Sequence, residues 1–132
     1  MTNDPHGLGV ALGRLGGGAR RGAKAAAAAV GVLLNDGEVV ECLVAGQVYG
    51  ANALGALTND RLLVVNDREF KPDVVEVKID ETVTVQGWQD DRNAALMIQS
   101  STGTTVQIER IGDRPIAMEM AQRIRARAAG TG

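Results

Sequence analysis

The side chains that could do chemistry in this chain are few and far apart. His6 and Cys42 are the only imidazole and the only thiol, whereas a soft-metal site takes three or four such ligands. No metal site is expected. Cys42 alternates with Val40 and Val44, the pattern of a thiol buried in a strand. A catalytic thiolate would want a histidine partner, and His6 lies in a terminus expected to be mobile. Carboxylates pair at Asp80-Glu81 and at Asp90-Asp91. Acid–base catalysis needs two carboxyls converging on one bond, one of them desolvated; both pairs sit in turn-like sequence, where solvated acids are routine. No catalytic residue is assigned, and an enzyme is not expected.

The nearest approach to a phosphate loop is GGARRGAK, residues 17–24. A P-loop needs lysine directly after its second glycine and then Ser or Thr for magnesium. Here Ala23 intervenes, Ala25 replaces the hydroxyl, and no strand precedes the loop. Gly7, Gly9 and Gly13 lack the strand that a dinucleotide fingerprint follows, so no cofactor is expected. The other groups suit surfaces better than reactions. Arg14, Arg20, Arg21 and Lys24 are candidate contacts for an anionic membrane surface. Trp88, Arg123 and Arg127 are candidate contacts for a protein partner, since interface hot spots favour Trp and Arg.

Charge is spread unevenly. Residues 36–91 hold twelve acids and four bases, while both flanks are net basic. An acidic middle argues against a nucleic-acid surface, which needs cations to neutralise phosphates. Tyr49, Phe70 and Trp88 are the only aromatics, too few for a base-stacking platform. The single cysteine rules out an intramolecular disulfide framework, and no secretory signal is recognisable. A reducing, cytoplasmic location is the expectation. The longest apolar stretch, residues 25–34, is too short to cross a membrane. Abundant Ala, Gly, Val and Arg with scarce Lys suggest a bacterium with a GC-rich genome.

The elements that position these groups fit one domain of 132 residues. Residues 1–18, Gly-rich with Pro5, read as a flexible leader, although Leu8, Leu12 and Leu15 recur at helical spacing. Residues 19–34 read as a helix of high propensity, stopped by Asn35-Asp36-Gly37. From Glu38 the period changes. Strands are expected over 38–49, 52–58, 61–66, 75–79, 83–88, 94–99 and 104–108, with a tight turn at Thr58-Asn59-Asp60. Seven short strands at near-regular spacing point to a small barrel or sandwich. A final helix starts at an Asp113 cap, tolerates Pro115 in its first turn and ends before Gly130.

This order resembles a pleckstrin-homology-like (PH-like) barrel, and in particular the bacterial PH-like family. Members of that family have a leading helix and a first strand opening near "LLxxGE", here LLNDGE at 33–38. They carry an "LTNxRLL" hairpin between the second and third strands, here LTNDRLL at 57–63. The resemblance implies a mainly β (α+β) fold: a seven-stranded, partly open barrel over 35–132, capped by its C-terminal helix and preceded by the leader and the 19–34 helix. It also implies a non-catalytic binding or scaffolding module that works through protein–protein contacts, with self-association into rings a feature of similar bacterial proteins. A partly open barrel leaves strand edges that another chain can extend. Two departures matter. The final helix has no Trp, and the stretch GQVYGANALG at 46–55 has no basic residue, so phosphoinositide binding there is not expected. The alternative reading is a peripheral membrane module using the basic leader and the terminal helix.

Overall fold

The computed structural model describes Asp4 and residues 6–16, 23–66 and 74–130. Within them three helices and seven strands follow in the order α1 (Leu8–Gly13), α2 (Lys24–Leu33), β1 (Val40–Val48), β2 (Ala51–Thr58), β3 (Arg61–Asn66), β4 (Val74–Lys78), β5 (Thr84–Gln89), β6 (Ala94–Gln99), β7 (Thr105–Ile111) and α3 (Arg114–Ala128). The strands form one antiparallel sheet in the order β4-β3-β2-β1-β7-β6-β5. β4 and β5 are consecutive in sequence yet lie at opposite edges, so the barrel is partly open. α3 lies against β5, β1 and β6.

Side-chain alternation explains the closure. Cys42, Val44 and Gly46 on β1 share a face with Leu57, Gly55 and Ala53 on β2, and with Leu62 and Val64 on β3. This is the barrel interior, where it meets Ile108 of β7. At Gly46 the chain passes so close to β7 that an added Cβ would lie 2.5 Å from the Glu109 carbonyl oxygen. Only glycine permits that approach.

The opposite face of the same strands is also apolar. Leu43, Leu54, Ala56, Leu63 and Val65 point outward by register and are each at most 2% exposed. The N-terminal helices lie on this side: α1 against β1, and α2 against β2 and β3. Buried Ala11, Leu15, Ala26, Ala27 and Val30 join the core cluster. A sheet covered on both faces needs continuous apolar runs instead of alternation, which is why LLVV stands at 62–65.

Element boundaries differ from the sequence expectation at the N-terminal end. Leu8–Gly13 is helical within the segment expected to be a flexible leader, because Leu8, Ala11, Leu12 and Leu15 have a surface to cover. Asp4 caps that helix through the N–H groups of Gly9 and Val10. The described part of the helix expected over 19–34 is Lys24–Leu33; residues 19–22 lie outside the described residues. α3 has the expected signals. Asp113 accepts from the Ile116 N–H at 3.1 Å, and Pro115 lies in the first turn. Gly130 takes φ +78 just past the end.

Candidate functional site

The two sequence motifs are halves of one interaction. Gly37 takes a left-handed backbone, φ +80, and brings Glu38 against the β2–β3 turn. Glu38 is 3% exposed, and its carboxylate accepts four hydrogen bonds. Arg61 Nε and Nη2 donate to its two oxygens at 2.9 Å each, Thr58 Oγ1 donates at 2.6 Å, and the Asn35 N–H donates at 3.0 Å. Arg61 Nη2 also donates to the Leu33 carbonyl at the end of α2, and Nη1 to Glu76 on β4. A bidentate, charge-assisted pair is the strong form of such a contact. Hydrogen bonds from Arg61, with those from Thr58 and Asn35, outweigh burial and hold the Glu38 carboxyl down at about 2. The same pairing raises the affinity of Arg61 for its proton.

Asn59 completes the junction. Its Oδ1 accepts from the Val39 N–H at 2.7 Å, and its Nδ2 donates to the Gly37 carbonyl. Thr58 Oγ1 accepts from the N–H groups of Asp60 and Arg61 and closes the two-residue turn. Among the described residues no buried side-chain nitrogen or oxygen lacks a partner. The arrangement joins α2, β1, β3 and β4. It holds structure in place and offers no group to a substrate.

Of the arginines singled out from sequence, Arg14, Arg123 and Arg127 are engaged within the chain. Arg14 pairs with Glu119 through bonds of 2.6 and 3.1 Å, joining the segment after α1 to α3. Arg123 pairs with Glu119 at 3.0 Å and approaches Glu41 at 3.8 Å. Arg127 donates to the Thr58 carbonyl and to Glu41, both at 2.6 Å. Arg114 and Arg125 donate to the carbonyls of Asp90 and Val85. Hydrogen bonds from Arg14 and Arg123 hold the Glu119 carboxyl down at about 2. Lys24 is exposed on α2, whereas Arg20 and Arg21 lie outside the described residues.

The remaining titratable groups are dispersed. Cys42 is fully buried, its Sγ 3.8 Å from the Ile116 carbonyl, and burial pushes its thiol up to about 12, far from a reactive thiolate. His6 Nδ1 lies 2.6 Å from the Glu38 carbonyl oxygen, and the His6 carbonyl accepts from the Val40 N–H. Asp80 and Asp90 cap their own turns through Thr82, and through the N–H groups of Arg92 and Asn93. Those bonds lower both carboxyls. Among the described residues no group of three His, Cys, Asp or Glu side chains could hold a metal ion, and no helix is long and apolar enough to cross a membrane.

Two surface features stand out. The outer edge of β4 has no neighbouring strand among the described residues, and Val74 at its start is 45% exposed. Beside it a cleft of about 290 Å³ is lined by Val48, Tyr49, Val64, Asn66, Val74 and Val75. Tyr49 is 89% exposed and, with Gly50, forms the two-residue β1–β2 turn at positive φ. The second feature is Trp88, 49% exposed near the end of β5. Sequence reasoning missed Val74 and Tyr49. An apolar residue beginning a strand and a tyrosine before a turn glycine are the only signals it had.

No family model matches the chain, and no curated protein matches it significantly. A structure search does find likeness. The crystal structure of a pleckstrin homology domain from Shewanella amazonensis SB2B is similar with a TM-score of 0.51 at 17% identity, over 75% of this chain and 94% of that domain. At that identity the likeness is one of fold. The chain has a PH-like fold, a seven-stranded open sheet with a C-terminal helix, and a fold by itself does not fix a function.

Proposed function

We propose that this chain is a protein-binding module whose contact edge is β4, and that a second copy of the chain is one occupant of that edge. The observation that carries the reading is the outer edge of Val74–Lys78, which pairs with no strand among the described residues, beside the cleft at Val48, Tyr49 and Val64. An exposed strand edge presents a row of backbone donors and acceptors that another strand can pair with. Five residues make a short edge, and a stable interface buries far more than one strand pair. The adjoining apolar cleft and the exposed Val74 and Tyr49 side chains supply the remainder. Two β4 edges meeting antiparallel would give a self-complementary, two-fold contact.

The membrane reading has less support, because Arg14, Arg123 and Arg127 are engaged by Glu119 and Glu41. The test is the light-scattering mass of the full chain beside that of Val74→Lys, which places a charge on the edge. A mass above the monomer that falls with Val74→Lys supports the reading. A monomer that co-sediments with anionic vesicles in a salt-dependent way would replace it.

A further inference from the structure

We propose that residues 6–15 form a releasable strap over a second strand edge, that of β1. It lifts away as a unit while the barrel stays folded, and the pair Arg14–Glu119 is its latch. β1 pairs with β2 from Val40 to Val48. On its other side, among the described residues, it pairs with β7 at Gln47 alone. The edge ahead of Gln47 is therefore covered by chain that is not strand. α1 lies against β1 there, and so does α3, whose Ile116 carbonyl is 3.8 Å from Cys42 Sγ.

Three ties hold the strap across this seam. The Val40 N–H donates to the His6 carbonyl at 2.8 Å, as it would to a neighbouring strand. His6 Nδ1 lies 2.6 Å from the Glu38 carbonyl oxygen. At the far end Arg14 reaches α3 and donates to both carboxylate oxygens of Glu119, at 2.6 and 3.1 Å.

The strap is the weakly held part of this region. Its helix has six residues, far below the length that persists in water by itself. Its buried side chains are Ala11 and Leu15, with Leu8 and Leu12 half-buried. The latch side chains are 43% and 30% exposed, so the pair contributes little and salt screens it. Behind it Val44, Leu54, Leu57, Leu62 and Ile108 are completely buried. Elements with few buried contacts open first, below the free energy of global unfolding.

Release also leaves no charge stranded. Glu119 accepts from Arg123 at 3.0 Å as well, so its carboxylate keeps a partner when Arg14 moves into water. What release uncovers is the β1 edge and Cys42, which is fully buried and near enough to Arg14 and Glu119 for both charges to act on its thiol. A bare strand edge can pair with another strand, which makes the strap an autoinhibitory contact for that edge.

The experiment follows two reporters in the full chain under native conditions: hydrogen exchange of the Val40 amide, and alkylation of Cys42, the only thiol, by uncharged iodoacetamide. Arg14→Gln should raise both rates about threefold, while the β3 amides stay protected. Molar salt should raise both rates in the unaltered chain and add nothing to Arg14→Gln. Both rates should stay nearly flat in low urea, because local opening exposes little surface. Val74→Lys should change neither rate, which separates the strap from the β4 edge. The strap is ruled out if Arg14→Gln leaves either rate unchanged, if the two reporters respond differently, or if both rates climb with urea as steeply as global unfolding does.

Discussion

Arg61 and Glu38 stand 23 residues apart in sequence and meet through two parallel hydrogen bonds of 2.9 Å, with side chains 10% and 2% exposed. The pair joins the loop after α2 to the turn between β2 and β3. Since Arg61 also holds the Leu33 carbonyl and Glu76, one guanidinium fixes a helix end, a loop and two strands.

Removing one partner leaves a buried charge unmatched. Arg61→Met should cost about 3–5 kcal/mol, read by urea unfolding at pH 7. The double change Glu38→Met with Arg61→Met should recover most of that loss, because buried pairs are often replaceable by apolar residues. Arg61→Lys should also be costly, since an ammonium cannot reproduce the fork. A double variant whose loss equals the sum of the two single losses would show that the pair is not coupled.

The same pair sets the response to acid. The Glu38 carboxyl is held at about 2 in the folded chain, against an ordinary value of 4.5. A carboxyl lowered by folding contributes stability that is full above its unfolded value and is lost as pH falls. The window therefore runs from about 4.5 down to about 2, and the loss is on the order of 3 kcal/mol. Unfolding curves at pH 7, 4 and 2.5 should show it, and Glu38→Gln should start less stable and lose less across that range. Glu119 is lowered in the same direction, but its side chain is 30% exposed, so solvent screens its share.

The β1–β2 turn offers a gain. Tyr49 at φ 50 and Gly50 at φ 78 form a turn that favours Asn-Gly. Tyr49→Asn should stabilise the fold by up to about 1 kcal/mol, seen as a higher thermal midpoint. A lower midpoint would mean that the exposed tyrosine ring contributes more than its backbone costs.

At the β1–β7 junction there is no room. Gly46→Ala would set a methyl against the Glu109 carbonyl and Ile108, and should cost roughly 1–3 kcal/mol as the strands part. Urea unfolding reads the loss. An unchanged midpoint would show that this junction is looser than described.

What could be read from sequence was local. Asn59-Asp60 between two apolar runs, and Asp113 before Pro115 and Ile116, carry turn and cap chemistry within four residues, so the hairpin and the last helix were legible. Edge order was not, because β4 and β5 are neighbours in sequence and strangers in the sheet. The Glu38–Arg61 pair was visible only as two family-like motifs, with nothing to say that they touch. The docking of α1 and α2 had a physical signal, since Leu62, Leu63, Val64 and Val65 do not alternate. That run needs a cover on each face. The intrachain pairing of the α3 arginines beyond their own helix was not legible, because reach across a surface is not written in spacing. Arg127 meets Thr58 from 69 residues away.

Hydrogen exchange of the β4 amides, followed from dilute to concentrated solution of the full chain, tests the central proposal most directly. If β4 is the contact edge, protection at Val74–Lys78 rises with concentration, and Val74→Lys abolishes the rise while the amides of β2 and β3 stay protected. Protection at β4 that is the same at every concentration, in a chain that nevertheless associates, would contradict the edge and place the contact elsewhere.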